Sequence, residues 1–451
     1  MSGPMALEPR GAEEETLALR LAGPYLGLPR HAGQQADVDR LAAELADRIG
    51  PAVHPYEVAA LLESEGLTAA VVQERYGQPD IFALASALYE RVPRTFPEPA
   101  PAADPWRPDH VRCLLRGVLF ALPGLAYLLA APLWHTARHA TALIVAGLVS
   151  WAWGQALGHR AHLRMATGRR EAGRTLLTGA PLGAAAATAC AALAAQGGPV
   201  TLVAAAQSVY LAAAGVLLVL GGEWLLLAAL TPLVAGSAVL PWWEPGPVLR
   251  AGLPALALLA TLAVTGYTLR AALATPSAPG APPPPRHRSL PYGLFGLAAG
   301  ILVLLEGRRH PYAVIVLTVS MGPAEWLLYR FRGLSVDALR AAATPVAFLW
   351  RSAGVLGICV FGYLLPLVPA ALLTGSDPQA LLPLAATLWT ALLLQAFGTA
   401  WPPAVICLLA AAGAATVTLL DLPALPLCYG VAALCLTVCA LWTLGRPAPH
   451  V

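Results

Sequence analysis

The chain has 451 residues, of which 57% are hydrophobic and 12% charged, with a mean hydropathy of +0.64. Soluble globular chains hold about 45–50% apolar and about 25% charged residues, so composition excludes an ordinary water-soluble protein and indicates one built to face lipid. The net charge of +3 hides two regions: residues 1–110 carry 17 acids and 9 arginines (−8), and the remainder carries 8 acids and 19 arginines (+11), with no lysine anywhere.

In chain order, residues 1–35 read as a poorly structured segment. They place Glu13, Glu14 and Glu15 where a signal peptide would need an apolar core, so the N-terminus is expected in the cytoplasm. Residues 36–95 read as a small cytoplasmic helical domain. Val38, Leu41, Leu45 and Ile49 recur at helical spacing, Pro55 suits the first position of a helix, and Thr68 and Asp80 are expected caps for helices 69–76 and 81–91. Residues 96–110 form a linker.

From Cys113 onward, apolar runs long enough to cross a bilayer follow one another at 113–134, 140–159, 175–195, 199–220, 223–243, 248–269, 289–305, 311–330, 346–373, 379–398, 402–420 and 423–444. The expected fold is therefore an all-α polytopic membrane protein of about twelve transmembrane helices. The ninth run is long enough to kink at Pro366 or Pro369. A first membrane half over 111–270 and a second over 289–446 flank a Pro-rich cytoplasmic linker at 271–288, whose Pro282–Pro285 run favours extended polyproline backbone. With both termini inside the cytoplasmic membrane, sixteen arginines fall on the cytoplasmic side and four (Arg138, Arg250, Arg308, Arg309) outside, in keeping with the retention of positive loops.

The halves share a faint repeat. Val149–Arg160 in span 2 aligns without gaps to Val319–Arg330 in span 8, matching Val-Ser, a small residue, Gln155 or Glu325, Leu and Arg. Spans 1 and 7 echo it with Leu122-Pro123 and Leu290-Pro291. Six spans per half imply two like-oriented halves related by an axis along the membrane normal.

Ionisable groups inside spans are costly and mark function by default. Glu325 reads as the only acid well inside an apolar run. Gly322 and Pro323 beside it should break the hydrogen-bond ladder, and such backbone is tolerated where it lines a cavity. The plainer alternative is a Glu–Arg pair anchoring the helix at the interface. Gln155 is the counterpart of Glu325, with interhelical hydrogen bonding as its simpler role. Arg116, Arg160, Arg174, Arg330 and Arg351 form a possible ring at the cytoplasmic mouth, which would suit a phosphate or diphosphate head group. The seven cysteines sit in apolar stretches and suggest packing rather than disulfides or metal. No phosphate-binding loop and no HExxH-type metal motif occurs. No cofactor, no metal, no nucleic acid and no enzymatic activity is expected.

Twelve spans in two like-oriented halves with a central linker resemble the multidrug/oligosaccharidyl-lipid/polysaccharide exporter superfamily over residues 110–446. That resemblance implies a flippase-like exporter of a lipid-linked saccharide or envelope polysaccharide through a cationic cavity. The same architecture is similar to the major facilitator superfamily, whose loop between spans 2 and 3 ends in a pattern resembled by Gly168-Arg169-Arg170; this alternative implies a small-solute carrier. A third expectation is a non-catalytic scaffold of an envelope or polysaccharide synthesis complex. Its cytoplasmic partner would bind residues 36–95. Transport predicts a polar cavity between the halves, and a scaffold predicts tight packing there.

Overall fold

The structure, a computed structural model, describes residues 32–93, 109–133, 136–195, 198–276, 284–446 and 448. It divides into two compact units, Met1–Asp104 and Pro105–Val451. Among the described residues every regular element is helical. The segment 1–35, expected to be poorly structured, lies outside the described residues except for 32–35, which are helical, and most of the 96–110 linker lies outside them too.

In the first unit, α1 (Ala32–Glu44), α2 (Ala46–Ile49), α3 (Pro55–Ser64), α4 (Ala69–Tyr76) and α5 (Ile81–Arg91) close over an apolar core. Val38, Ile49, Val58, Leu62, Val72, Leu84 and Leu88 are buried in it. Asp80 caps α5 as expected, its Oδ1 accepting from the Ala83 amide at 2.7 Å. Thr68 does not cap α4, because its side chain makes no capping hydrogen bond. Pro55 does open α3, with His54 Nδ1 ahead of it accepting from the Tyr56 amide at 3.2 Å. Gly77, at φ +63°, lets the chain turn out of α4. Tyr89 ties α5 to the α2–α3 turn by donating to the Val53 carbonyl at 2.7 Å.

The second unit contains eleven helices long and apolar enough to span a bilayer, and a shorter apolar one, in chain order. They are span 1 (His110–Leu133), span 2 (Ala140–Met165), span 3 (Arg169–Ala195), span 4 (Val200–Leu220), span 5 (Glu223–Ala238), span 6 (Pro247–Ala274), span 7 (Arg286–Arg309), span 8 (Pro311–Arg340), span 9 (Pro345–Leu373), span 10 (Pro378–Ala396), span 11 (Trp401–Leu419) and span 12 (Leu425–Leu444). Span 5 is shorter than its apolar run suggested. Its 16 residues end at Ala238, before a turn that carries Pro241 and Pro245. At a rise of about 1.5 Å per residue such a helix reaches only about 24 Å, less than a hydrocarbon core of about 30 Å. Trp242 and Trp243 project from the turn into the surroundings.

Three spans are broken. Span 1 changes helix at Pro123, and span 9 does so at Pro366, one of the two expected kink positions. Span 8 breaks at Ser320 rather than at Gly322-Pro323. Pro323 sits in the first turn of the new helix, where an amide would have no intrahelical partner and its loss costs nothing.

Most neighbour relations repeat between the halves, while spans 1–6, 7–8 and 7–10 pack without a comparable counterpart. Spans 1–5, 2–3, 2–4, 3–4, 3–6, 4–6 and 5–6 pack together, and the same pairs advanced by six, 7–11, 8–9, 8–10, 9–10, 9–12, 10–12 and 11–12, pack in the second half. Two pairs join the halves, span 1 with span 8 and span 2 with span 7, and each is the image of the other under the same shift. Below, the leading face is the one at which span 1 starts. Because short loops connect the helices, odd-numbered spans leave that face and even-numbered spans return to it.

Candidate functional site

The seam between spans 1 and 8 begins as a backbone contact. A β-carbon placed on Gly117 would lie 2.9 Å from the Gly322 amide nitrogen, and one on Gly322 would lie 2.8 Å from the Cys113 carbonyl oxygen. Small residues let helix backbones approach in this way in lipid, where dispersion and interhelical hydrogen bonds drive packing. Gly322 is thus used for close approach and not to line an opening. Toward the leading face, Trp326 Nε1 donates to His110 Nδ1 at 2.7 Å.

Between these contacts lies an ion cluster. Arg116 of span 1 donates through Nη1 to Glu325 Oε1 of span 8, and through Nε and Nη2 to Glu223 Oε1 of span 5 at 2.9 and 2.7 Å. Arg112, one helical turn earlier, grips Glu223 with Nε at 2.8 Å and Nη2 at 3.2 Å. Two arginines and two glutamates therefore neutralise each other. Glu223 is 3% exposed, and Arg116 and Glu325 are each 23% exposed. Arg116 is the hinge of the cluster: it holds its own half through Glu223 and the other half through Glu325.

Glu223 was not among the residues singled out from the sequence, although a signal was available. It is the first residue of an apolar helix, where the helix dipole favours an acid, and it follows Gly221-Gly222. Gly221 has φ +78°, and a β-carbon there would meet Arg112 Nη2 at 2.9 Å, so the turn both starts span 5 and leaves room for the guanidinium.

The second seam, between spans 2 and 7, repeats the first in apolar form. A β-carbon on Gly296 would lie 3.2 Å from Ala152 Cα and 2.8 Å from Gln155 Cγ. Ala152 and Gln155 stand in span 2 where the sequence repeat puts Gly322 and Glu325 in span 8. The equivalence of Gln155 and Glu325 therefore has a geometric counterpart: each packs on the first helix of the opposite half. Gln155 meets a glycine there, whereas Glu325 meets Arg116. Near the leading face this seam closes with His159, whose ring stacks on Tyr292 at 3.6 Å and whose Nδ1 lies 3.1 Å from Ser289 Oγ.

The other residues of the expected arginine ring are not gathered around this cluster. Arg160 donates to the Pro284 carbonyl at 3.2 Å, tying span 2 to the end of the interhalf linker. Residues 281–283 of the expected polyproline run lie outside the described residues. Arg174 pairs with Glu171 at 2.7 Å, and Glu171 also holds Arg164 at 2.6 Å. Arg330 is exposed and lies over the Trp326 ring, and Arg351 is exposed on span 9. The side chain of Arg138 lies outside the described residues.

Glu325 is not alone inside the bundle, contrary to the reading of the apolar runs. Besides Glu223, Glu306 of span 7 is fully buried, with neither carboxylate oxygen hydrogen-bonded. By sequence the apolar run ends at residue 305, one residue short of this acid. The helix continues to Arg309. Among the described residues no three Asp, Glu, His or Cys side chains gather into a metal site. A cavity of about 40 Å³, lined by Ser150, Trp153 and Ser208, lies among spans 2, 3 and 4 and is too small for a saccharide. Comparison with protein-family models, with curated proteins and with solved structures returns no match for this chain.

Proposed function

We propose that this membrane protein is a transporter whose two six-helix halves rock about the two seams, with the Arg116–Glu325 pair as a latch that closes the leading face. The carrying observation is the position of Arg116, bonded at once to Glu223 of its own half and Glu325 of the other. A pair that only anchored a helix would have no need to join the halves. Breaking it gives up the attraction of the pair, which hydration of the two charges at that face partly offsets, and the pair re-forms when the halves close again. The arginine-rich loops support a cytoplasmic leading face, and in this reading the protein sits in the cytoplasmic membrane with both termini inside.

The substrate class that fits is an anionic lipid-linked saccharide moved outward as by a flippase. When the latch opens, Arg116 Nη1 is released to a phosphate oxygen, while Arg112, already half-exposed beside Glu223, and the exposed Arg330 and Arg351 add positive charge. A small anionic solute carried in facilitator fashion would use the same arginines. The full-length protein in proteoliposomes tests the proposal with a fluorescent polyprenyl-diphosphate disaccharide. Wild type should move the probe between leaflets, and Glu325→Leu should abolish movement without loss of folded protein. Movement no faster than in protein-free vesicles would refute the exporter reading.

A scaffold reading is favoured by one observation, the backbone contact of Gly117 with Gly322 repeated as Ala152 on Gly296. Permanently fixed halves would keep both seams closed under every condition. Distances between spin labels on the two halves would then stay single-valued, whereas a transporter shows two populations.

A further inference from the structure

We propose that Glu306 is an exchange site for a monovalent cation, a proton or Na⁺, inside the second half. Its role in coupling rests on the transporter reading; its occupancy does not. Glu306 is 0% exposed and neither oxygen has a hydrogen-bond partner, a state that a bare carboxylate in lipid-covered protein cannot hold. A bound proton or a dehydrated Na⁺ resolves it. Unused oxygen ligands lie in the same interior: the hydroxyl of Tyr429, at 0% exposure, has no partner, and Glu306 and Tyr429 are electrostatic neighbours. Thr387 Oγ1 donates to the Tyr429 carbonyl at 3.0 Å, fixing span 10 against span 12 beside them.

The charged groups around Glu306 lie toward the face opposite the latch. His310 and Arg309 follow it on its own chain, and Asp377, at the cap of span 10, completes its charged surroundings. Asp377 and His310 are half-exposed. Among the described side chains, the spans packed along span 7 add no competing charge at this level. Span 11 contains no Asp, Glu, His or Arg, span 8 has none between Pro311 and Ala324, and span 2 has none between Ala140 and Gly158. A cation entering past Asp377 and His310 reaches Glu306 as the first buried carboxylate.

Span 7 carries Glu306 at one end and, through Gly293, Gly296 and Gly300, forms the second seam against Leu148, Ala152, Gln155 and Ala156 of span 2. Loading or unloading the carboxyl thus acts on the helix that also joins the halves. When Na⁺ replaces the proton, one H⁺ leaves for each Na⁺ bound, so the buried site stays neutral.

The test uses full-length protein in nanodiscs and infrared difference spectroscopy. One arm exchanges choline chloride for NaCl at fixed pH and ionic strength; the other raises pH in choline chloride. Either change should bleach the carbonyl stretch of a protonated buried acid and raise carboxylate bands. Glu306→Gln should lose that signal and Asp337→Asn, an exposed acid, should keep it. A response to Na⁺ at fixed pH identifies a Na⁺/H⁺ exchange site, and a response to pH alone identifies a proton site. A spectrum unchanged in both arms, or unchanged by Glu306→Gln, overturns the proposal. Should Glu306→Gln not fold, Glu306→Asp must shift the half-maximal Na⁺ concentration or pH, and identical values would equally overturn it. No substrate enters the measurement, so its failure leaves the latch standing, and a failure of transport leaves the ion site standing.

Discussion

Gly117 and Gly322 touch through their backbones, and a β-carbon on either would fall within 3 Å of the other helix's main chain. Backbone cannot move aside as a flexible side chain can. Gly117→Ala and Gly322→Ala should therefore each destabilise the membrane unit by about 1–3 kcal/mol, the usual cost of overpacking. Gly154→Ala, where nothing lies within 4 Å, should be neutral or mildly stabilising. Thermal unfolding of the purified protein checks the contrast, and equal midpoints for the three variants would show that the seam is not close-packed.

The ion cluster predicts coupling between halves. In a double-mutant cycle with Arg116→Ala and Glu325→Gln, the interaction energy should fall in the range of about 0.5–3 kcal/mol found for directly bonded neighbours. Glu223→Gln should cost more than Glu325→Gln, because Glu223 is nearly inaccessible and accepts from two guanidiniums. Denaturation of each variant supplies the four stabilities. An additive cycle would remove the latch.

In the small helical unit the two expected caps separate. Asp80→Ala should cost about 1 kcal/mol by removing the bond to the Ala83 amide. Thr68→Ala removes no capping bond and should cost well under half of that. Residues 32–93 have their own core, and urea unfolding of that fragment is the measurement. Equal losses would mean that Thr68 caps in solution.

Helix class, eleven of the twelve expected spans and the contacts between the halves were legible because each rests on a pattern that survives in one dimension; the exception, span 5, is too short to cross. Apolar run length reads out spans, and the Val149–Arg160 match with Val319–Arg330 reads out the shared geometry of Gln155 and Glu325. The identity of their partners was not legible. Arg116 lies 209 residues from Glu325, and nothing in local sequence says which arginine of several meets which acid. Glu306 lies one residue past the apolar run that ends at 305, whereas charged residues can finish a membrane helix by reaching the interface, and this helix runs on to Arg309. The arginines of the expected ring have separate partners: Arg174 pairs with Glu171 one turn before it, Arg160 donates to the Pro284 carbonyl, Arg330 lies over Trp326, and Arg116 joins the ion cluster.

The orientation has a sharp test at the start of span 7. Ser289 would be a poor probe, being buried against His159. Arg286 and His287 are exposed beside it. With the leading face in the cytoplasm, a cysteine at His287 in a cysteine-free background should resist an impermeant maleimide in intact cells and react once the membrane is permeabilised. Labelling in intact cells would invert the assignment of every loop.

Cys113 offers a native reporter of the latch. It lies on span 1 between Arg112 and Arg116, is 3% exposed, and its carbonyl abuts Gly322. While the seam is closed, a maleimide cannot reach the thiol, so its reaction follows the fraction of time that spans 1 and 8 are apart. Glu325→Leu removes the acceptor for Arg116 Nη1 and leaves Glu223 in place. A loss of about 1.4 kcal/mol of closing energy multiplies the open population about tenfold. With Cys113 as the sole cysteine, labelling of Glu325→Leu should therefore be faster than wild type by about that factor. Glu325→Gln keeps an acceptor oxygen but loses the charge, and should fall between the two. The order wild type, Gln, Leu separates a latch from a helix anchor, because an anchor residue removed from a permanently packed seam would lower expression or stability without raising the reactivity of the folded protein. Equal labelling rates in all three would leave Arg116 and Glu325 as structural partners and shift the weight to the scaffold reading.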